Sequence, residues 1–383
     1  MSRLIETLQP GMRVFVPTLS TESSLLLDEL RADPDRARGV VFTGVQFPGI
    51  DRADYLALHP EARQAAFFMT RSVRAGLDDG RADLLSLDYL GIARHLRQAA
   101  PMDLAVAHLT LPDVDGWCSP GLSSDFMPLV WSQARRRVAH LNPRMPRTQG
   151  SFRVHISELD AAVEADAPLN EFIESPSGDV EAQIGRHVAA LIRNGDTLQF
   201  GIGSVPLALA GALSGHRGLR FHGGLVSSAL QTLWEAGAMD PDAPITTGVV
   251  LGNASFHDFV ARLDPLRLAD VTKTHDPAIL ATIPRFVAIN AAAEVDLFGQ
   301  INGERVGGMI QAGSGGLPAF AQGALASPGG RLLICLGATA RKGTVSRIVA
   351  RLQEGTGVVT TRADVHYVVT EFGIAQLHGK TVR

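Results

Sequence analysis

Cysteine is almost absent from this chain of 383 residues. Cys118 and Cys335 stand far apart with no Cys-x-x-Cys spacing, which excludes a disulfide framework and a thiolate metal cluster and suits a reducing compartment. Long runs of one charge are missing as well. The formal net charge is −4, and the densest basic cluster, Arg135-Arg136-Arg137, reads as one solvated helical turn, so no nucleic-acid partner is expected. No apolar run reaches the roughly 18 residues that span a bilayer. Met1 to Pro10 carries no apolar segment of the secretory type, so no membrane partner is expected and the cytoplasm is the expected location.

The chain does have many short apolar runs separated by turn residues, with 39 Gly and 21 Pro. Its length exceeds what one ordinary core accommodates and predicts two domains. Strands are expected at Met12–Pro17, Gly39–Gly44, Asp83–Leu87, Leu104–Thr110 and Arg137–Leu141, with a helix over Thr21–Ala32. The acidic, proline-containing stretch Glu164–Gly178 reads as a linker. A helix over Asp179–Asn194 follows, then strands at Asp196–Phe200, Ile245–Leu251, Phe286–Asn290, Arg331–Leu336, Val358–Thr360 and His366–Val369. Strands alternating with helices predict an α/β fold with mostly parallel sheets. The expected domains are 1–175 and 179–383.

The most suggestive local feature is Gly201-Ile202-Gly203-Ser204-Val205, between the strand ending at Phe200 and a helix expected over Val205–Leu213. Glycine allows positive φ and close ligand approach. A helix start presents free N–H groups and a positive dipole end, which attract phosphate. Ser204 is expected to cap the helix, with Pro206 in its first turn. No Gly-Lys-Ser/Thr follows, and Pro206 stands where a dinucleotide fingerprint needs its third glycine. A second glycine loop, Gly313-Ser314-Gly315-Gly316, lies in the same half.

Several segments together resemble the acetyl-CoA hydrolase/CoA-transferase family, near the 4-hydroxybutyrate and butyrate–acetate CoA-transferases. They are Asp113–Ser119 (DVDGWCS), Asn142–Thr148 (NPRMPRT), Gly201–Val205 (GIGSV), Glu294–Gln300 (EVDLFGQ), Gly343–Ile348 (GTVSRI), Val369–Ile374 (VTEFGI) and Gly379–Thr381 (GKT). The resemblance implies two α/β domains of CoA-transferase type, an acyl-CoA ligand, a small carboxylate co-substrate, no metal and a homodimer. It also implies that Gly201–Val205 takes the coenzyme and that Gly313–Gly316 holds the thioester oxyanion. Arg341 stands where relatives carry a lysine near the CoA phosphates.

The resemblance breaks at the catalytic position. In relatives a nucleophilic glutamate forms a glutamyl thioester with CoA. Counted 23 residues on from Gly201, that position is Gly224, although the preceding histidine is kept as His222. In the second loop, Leu317 and Ala319 replace the family's Gln and Asp. Direct attack by water or a carboxylate, admitted by the space the glutamate vacates, is one reading. His222 is then the nearest general-base candidate, with Glu235 and Glu294 behind it. An acyl-CoA binder without turnover, and a chemistry carried by residues not identified, are the others.

Overall fold

The structure is a computed structural model that describes residues 3–381. The chain divides into two compact units. The first comprises the chain up to Leu87, Gly91–Phe172 and Gly248–Asp270, and the second comprises Asp88–Leu90, Ile173–Thr247 and the chain from Val271 onward.

In the first unit the strands β1 (Arg13–Phe15), β2 (Val41–Thr43), β3 (Arg63–Ala66), β4 (Ala82–Leu84), β5 (Leu104–Leu109), β6 (Arg137–Leu141) and β7 (Ala161–Glu164) form one sheet. All its pairings are parallel. The order β4-β3-β2-β1-β5-β6-β7 reverses direction between β1 and β5. Parallel strands are covered on both faces and so read as unbroken apolar runs. β5 follows this rule, with every residue buried. Helix α1 (Ser24–Ala32) lays Leu26, Leu27 and Leu30 on Val14, Phe42 and Leu104. Its N-cap is Ser23, whose Oγ accepts from Leu26 N–H at 3.2 Å, so the helix starts later than the expected Thr21. Helices α2 (Arg71–Asp78) and α3 (Tyr89–Gln98) follow β3 and β4.

Residues 248–270 differ from the contiguous second half expected from the sequence. They hydrogen-bond within the first unit: Ser124 N–H donates to Gly248 O at 2.9 Å, and Phe172 N–H to Gly252 O at 3.0 Å. Leu268 N–H donates to Gln149 O at 2.8 Å. The stretch read as a linker carries no helix or strand after Glu164, yet it is pinned. Buried Asn170 donates from Nδ2 to Leu19 O at 2.9 Å and Ile50 O at 3.2 Å. The basic cluster is not helical either: Arg135 and Arg136 are exposed in a bend and Arg137 opens β6.

The second unit repeats this plan. Helices α4 (Asp179–Ala189), α5 (Ser204–Ala212) and α6 (Ser228–Glu235) accompany β8 (Thr197–Phe200), β9 (Arg220–His222), β10 (Ile245–Thr247), β11 (Phe286–Ala291), β12 (Arg331–Cys335), β13 (Tyr367–Thr370) and β14 (Gly373–Gln376). Its strands lie in the order β10-β9-β8-β11-β12-β13-β14, antiparallel only at the β13–β14 edge. The order reverses between β8 and β11. Gly248 interrupts the strand expected over Ile245–Leu251, and Val358–Thr360 makes a single bridge from Thr360 to Ile301 rather than a strand.

β8 is anchored at its start by Asp196, which is fully buried and paired with Arg331 and, at 3.8 Å, Arg285. The same carboxylate accepts from Arg193 N–H at 2.8 Å. Asp196→Ala leaves Arg331, itself largely buried, without its partner. A loss of about 3–5 kcal/mol is expected in denaturant unfolding, whereas a loss below about 1 kcal/mol would show that the pair does not hold β8. Among the described residues no helix is long and apolar enough to cross a membrane.

Candidate functional site

Open α/β sheets bind ligands beyond the carboxyl ends of their strands, where the strand order reverses. The turn Gly201–Ser204 occupies that place in the second unit. β8 delivers it, and Asn290 of β11 donates to Gln199 Oε1 of β8 at 2.8 Å across the reversal. Gly203 has φ +113°, a conformation L side chains rarely adopt, and a Cβ on Gly201 or Gly203 would meet nothing within 4 Å. The backbone is therefore open to a ligand at both glycines. Helix α5 begins at Ser204, one residue before the expected Val205, because Gly203 makes the bend. Ser204 is accordingly the first helical residue and not the cap. Gly203 is the N-cap, with no side-chain cap bond. Ile202 and Val205 are half-buried beside the turn.

A carboxylate from the supposed linker reaches this turn. Glu174 Oε1 accepts from Gly203 N–H at 3.4 Å and from Ser227 Oγ at 3.0 Å, while Oε2 accepts from Ser228 Oγ. Glu174 thus sits at the starts of both α5 and α6, where the dipoles favour negative charge. Nothing in the sequence singled it out, since it lies in an acidic, structureless stretch.

The space beside Gly224, where the resemblance expects a glutamate side chain, is filled. A Cβ on Gly224 would stand 2.7 Å from Cε1 and 2.9 Å from Nε2 of His275, and one on Gly316 would stand 2.5 Å from the same Nε2. His275 therefore needs both residues to be glycine, and it lies between residue 224 and the second glycine loop. Its ring follows the short helix α7 (Val271–Thr274) and is 2 % exposed. Tyr89 and Phe320 flank it with centroids at 4.4 and 4.5 Å, and Nδ1 is 2.8 Å from Thr274 Oγ1. Burial, reinforced by neighbouring His222, pushes its pKa down to about 3, so the ring is neutral at pH 7. The space expected at Gly224 for water or a carboxylate is occupied by this imidazole. A lone histidine in Thr274-His275-Asp276-Pro277 carries no spacing signal, so sequence reasoning could not find it.

The other candidates are spread over the second unit. His222 closes β9, and its Nε2–H donates to Lys273 O at 3.2 Å. Burial lowers its pKa against the opposing pull of the Lys273 and Thr274 carbonyls. Its ring also lines a depression of about 510 Å³ shared with Thr197, Arg220, Asp240 and Thr282. Glu294 lies in a separate small sheet, where Asn302 Nδ2 donates to its Oε2 at 3.2 Å. Glu235 is exposed and accepts from Gln231 Nε2 at 2.7 Å. Arg341 is exposed at a hairpin tip with φ +49°. In the second loop Gly313 and Ser314 are half-buried, Gly315 has φ +60° and Gly316 caps α8 (Leu317–Ala326). Leu317 joins the core of the unit and Ala319 is buried, so both positions serve packing. Among the described residues no group of three or more His, Cys, Asp or Glu is placed to hold a metal ion.

Residues 2–174 match the acetyl-CoA hydrolase/transferase N-terminal domain, and residues 252–383 match the C-terminal domain of that name. The 4-hydroxybutyrate coenzyme A transferase of Clostridium kluyveri is 35% identical over 328 residues, covering 84% of this chain and 76% of that protein. A succinyl-CoA:acetate/propanoyl-CoA:succinate CoA transferase of Fasciola hepatica is 34% identical, covering 84% and 69%. RipA from Yersinia pestis has a similar structure, with TM-score 0.90 at 27% identity, covering 99% of this chain and 91% of that one. A 4-hydroxybutyrate CoA-transferase from Porphyromonas gingivalis gives TM-score 0.83 at 27% identity, covering 100% and 91%. The chain belongs to the acetyl-CoA hydrolase/transferase family, whose named members act on CoA thioesters.

Proposed function

We propose that this chain binds an acyl-CoA and processes its thioester without a covalent intermediate at residue 224: water attacks and releases the acid and CoA thiol, or a small carboxylate attacks to give a free mixed anhydride and CoA thiolate, which then attacks the acceptor's carbonyl and frees the original acyl group as its carboxylate. The carrying observation is that Gly224 has no side chain and that His275 fills the volume one would need. A mixed anhydride cannot form there. In this reading the Gly201–Val205 turn takes a phosphate of the coenzyme, and exposed Arg341 adds a guanidinium fork to another. Backbone N–H groups of Gly313–Gly316 stabilise the oxyanion. His222 is the base: its Nε2–H is committed to Lys273 O, which leaves the lone pair on Nδ1. Glu294, already bonded to Asn302, holds its sheet.

A second reading, an acyl-CoA binder without turnover, is favoured by the same ring, since a neutral, packed imidazole between the two loops narrows the approach to the carbonyl. The test is free-thiol release from a panel of acyl-CoAs, with and without acetate, alongside calorimetric binding. Thiol release without acceptor is expected for hydrolysis, and acetate-dependent loss of acyl-CoA for transfer. Binding without either outcome leaves the second reading, and no binding contradicts both.

Glu174 competes for the phosphate seat in this account. Glu174→Gln keeps hydroxyl contacts to α6 but removes the charge. It is expected to tighten CoA binding by about 1 kcal/mol, roughly fivefold, with the gain shrinking as salt rises. Weaker binding in the variant would show that the carboxylate shapes the seat instead of occupying it.

A further inference from the structure

The reversal between β1 and β5 in the first unit also carries a cavity, of about 30 Å³. Phe15 to Thr18 after β1 and Ala107 to Leu109 at the end of β5 line one side, with Ser123 to Met127 on another. That volume suits roughly two or three water-sized guests, since each needs about 10–15 Å³. It is too small for an organic acid.

The polar groups around it are incompletely satisfied. Ser124 is fully buried and Asp125 is 5% exposed, and Ser124 Oγ and Asp125 Oδ1 have no hydrogen-bond partner. Asp125 pairs through its backbone with Asp270, whose charge repels its own. The titratable ring in the lining supplies no countercharge. His108 Nδ1–H donates to Thr21 O at 3.1 Å, and its Nε2 accepts from Asn142 Nδ2 at 3.0 Å, a pattern that fixes a neutral tautomer. Thr21 Oγ1 donates to Thr18 O at 2.8 Å, so its oxygen lone pairs remain acceptors.

We infer that this cavity is a site for a monovalent cation, an alkali-metal or ammonium ion, held by the Asp125 carboxylate, Ser124 Oγ and neighbouring hydroxyl oxygens. Hard oxygen donors of this kind suit such ions, and a buried carboxylate beside a second one needs a countercharge when ionised.

Thermal unfolding of the full chain in KCl, NaCl and NH4Cl, against choline chloride at equal ionic strength, tests the site. At least one small cation is expected to raise Tm by a few degrees, saturably. Asp125→Asn is expected to remove the difference between salts. Crystals soaked in a thallium or rubidium salt should show an anomalous peak against Asp125 in the unaltered protein, which keeps the question open to decision if the variant fails to fold. Equal Tm values in all salts with no peak at Asp125, or an ion effect that persists in the variant, would overturn the inference.

Discussion

Gly224→Glu alone is expected to give no CoA-transferase activity and a less stable protein. The reason is steric and local. A Cβ at 224 stands 2.7 Å from His275 Cε1, a separation real Cβ atoms essentially never show. The rest of a glutamate side chain has to enter the same volume. His275 cannot swing aside cheaply, because Tyr89 and Phe320 hold its ring at 4.4 and 4.5 Å and Gly316 crowds the same Nε2 edge. Overpacking of this kind costs about 1–3 kcal/mol, readable as a lower Tm. Removing the ring in the same chain changes the outcome. Gly224→Glu with His275→Ser is expected to recover the lost stability in part, and to show acetate-dependent CoA transfer through a covalent glutamyl-CoA intermediate that neither single variant forms. Full transferase activity in Gly224→Glu alone would mean that His275 does not occupy the position in solution.

His275 is also expected to make the protein acid-labile. Its folded pKa lies near 3, below the ordinary histidine value of about 6.5, so the unfolded chain binds a proton that the folded one refuses. Stability from this group is therefore complete above about pH 6.5 and is lost as pH falls toward 3. At pH 4.5 the loss from this ring amounts to about 2–3 kcal/mol. Asp125 and Asp51, pushed up to about 8 and about 7 by burial, act in the opposite sense and weaken the fold as pH rises from about 4 through those values. The contribution of His275 is isolated by comparison with His275→Asn. The unfolding free energy of the variant is expected to fall less between pH 7 and pH 4.5, by roughly the stated amount. Parallel pH profiles would contradict the buried neutral ring.

Much of this architecture was legible because parallel strands advertise themselves. Leu104–Leu109 and Arg331–Cys335 are short apolar runs, and they became the strands on either side of the reversal points or next to them. The glycine turn was legible for a related reason: a strand, two glycines and a helix leave few other conformations. What escaped was of two kinds. Helix starts and isolated bridges depend on single dihedral choices, as at Gly203 and Thr360, which period and propensity do not fix. Contacts between segments remote in sequence were invisible. His275 lies 51 residues after Gly224 and 41 before Gly316 in the chain, and only the fold joins them. Glu174 stood in a stretch whose composition signals only the lack of regular structure, yet its carboxylate completes the starts of two helices.

The central claim is that thioester chemistry here proceeds without an enzyme-bound acyl or CoA group. The direct measurement is the intact mass of the protein, quenched during incubation with an acyl-CoA while free thiol is followed in the same sample. The expected result is turnover, as accumulating thiol or, with acetate present, as loss of the acyl-CoA, with the protein at its unmodified mass throughout. A mass gain equal to the acyl group or to coenzyme A, attached to any side chain, would contradict it.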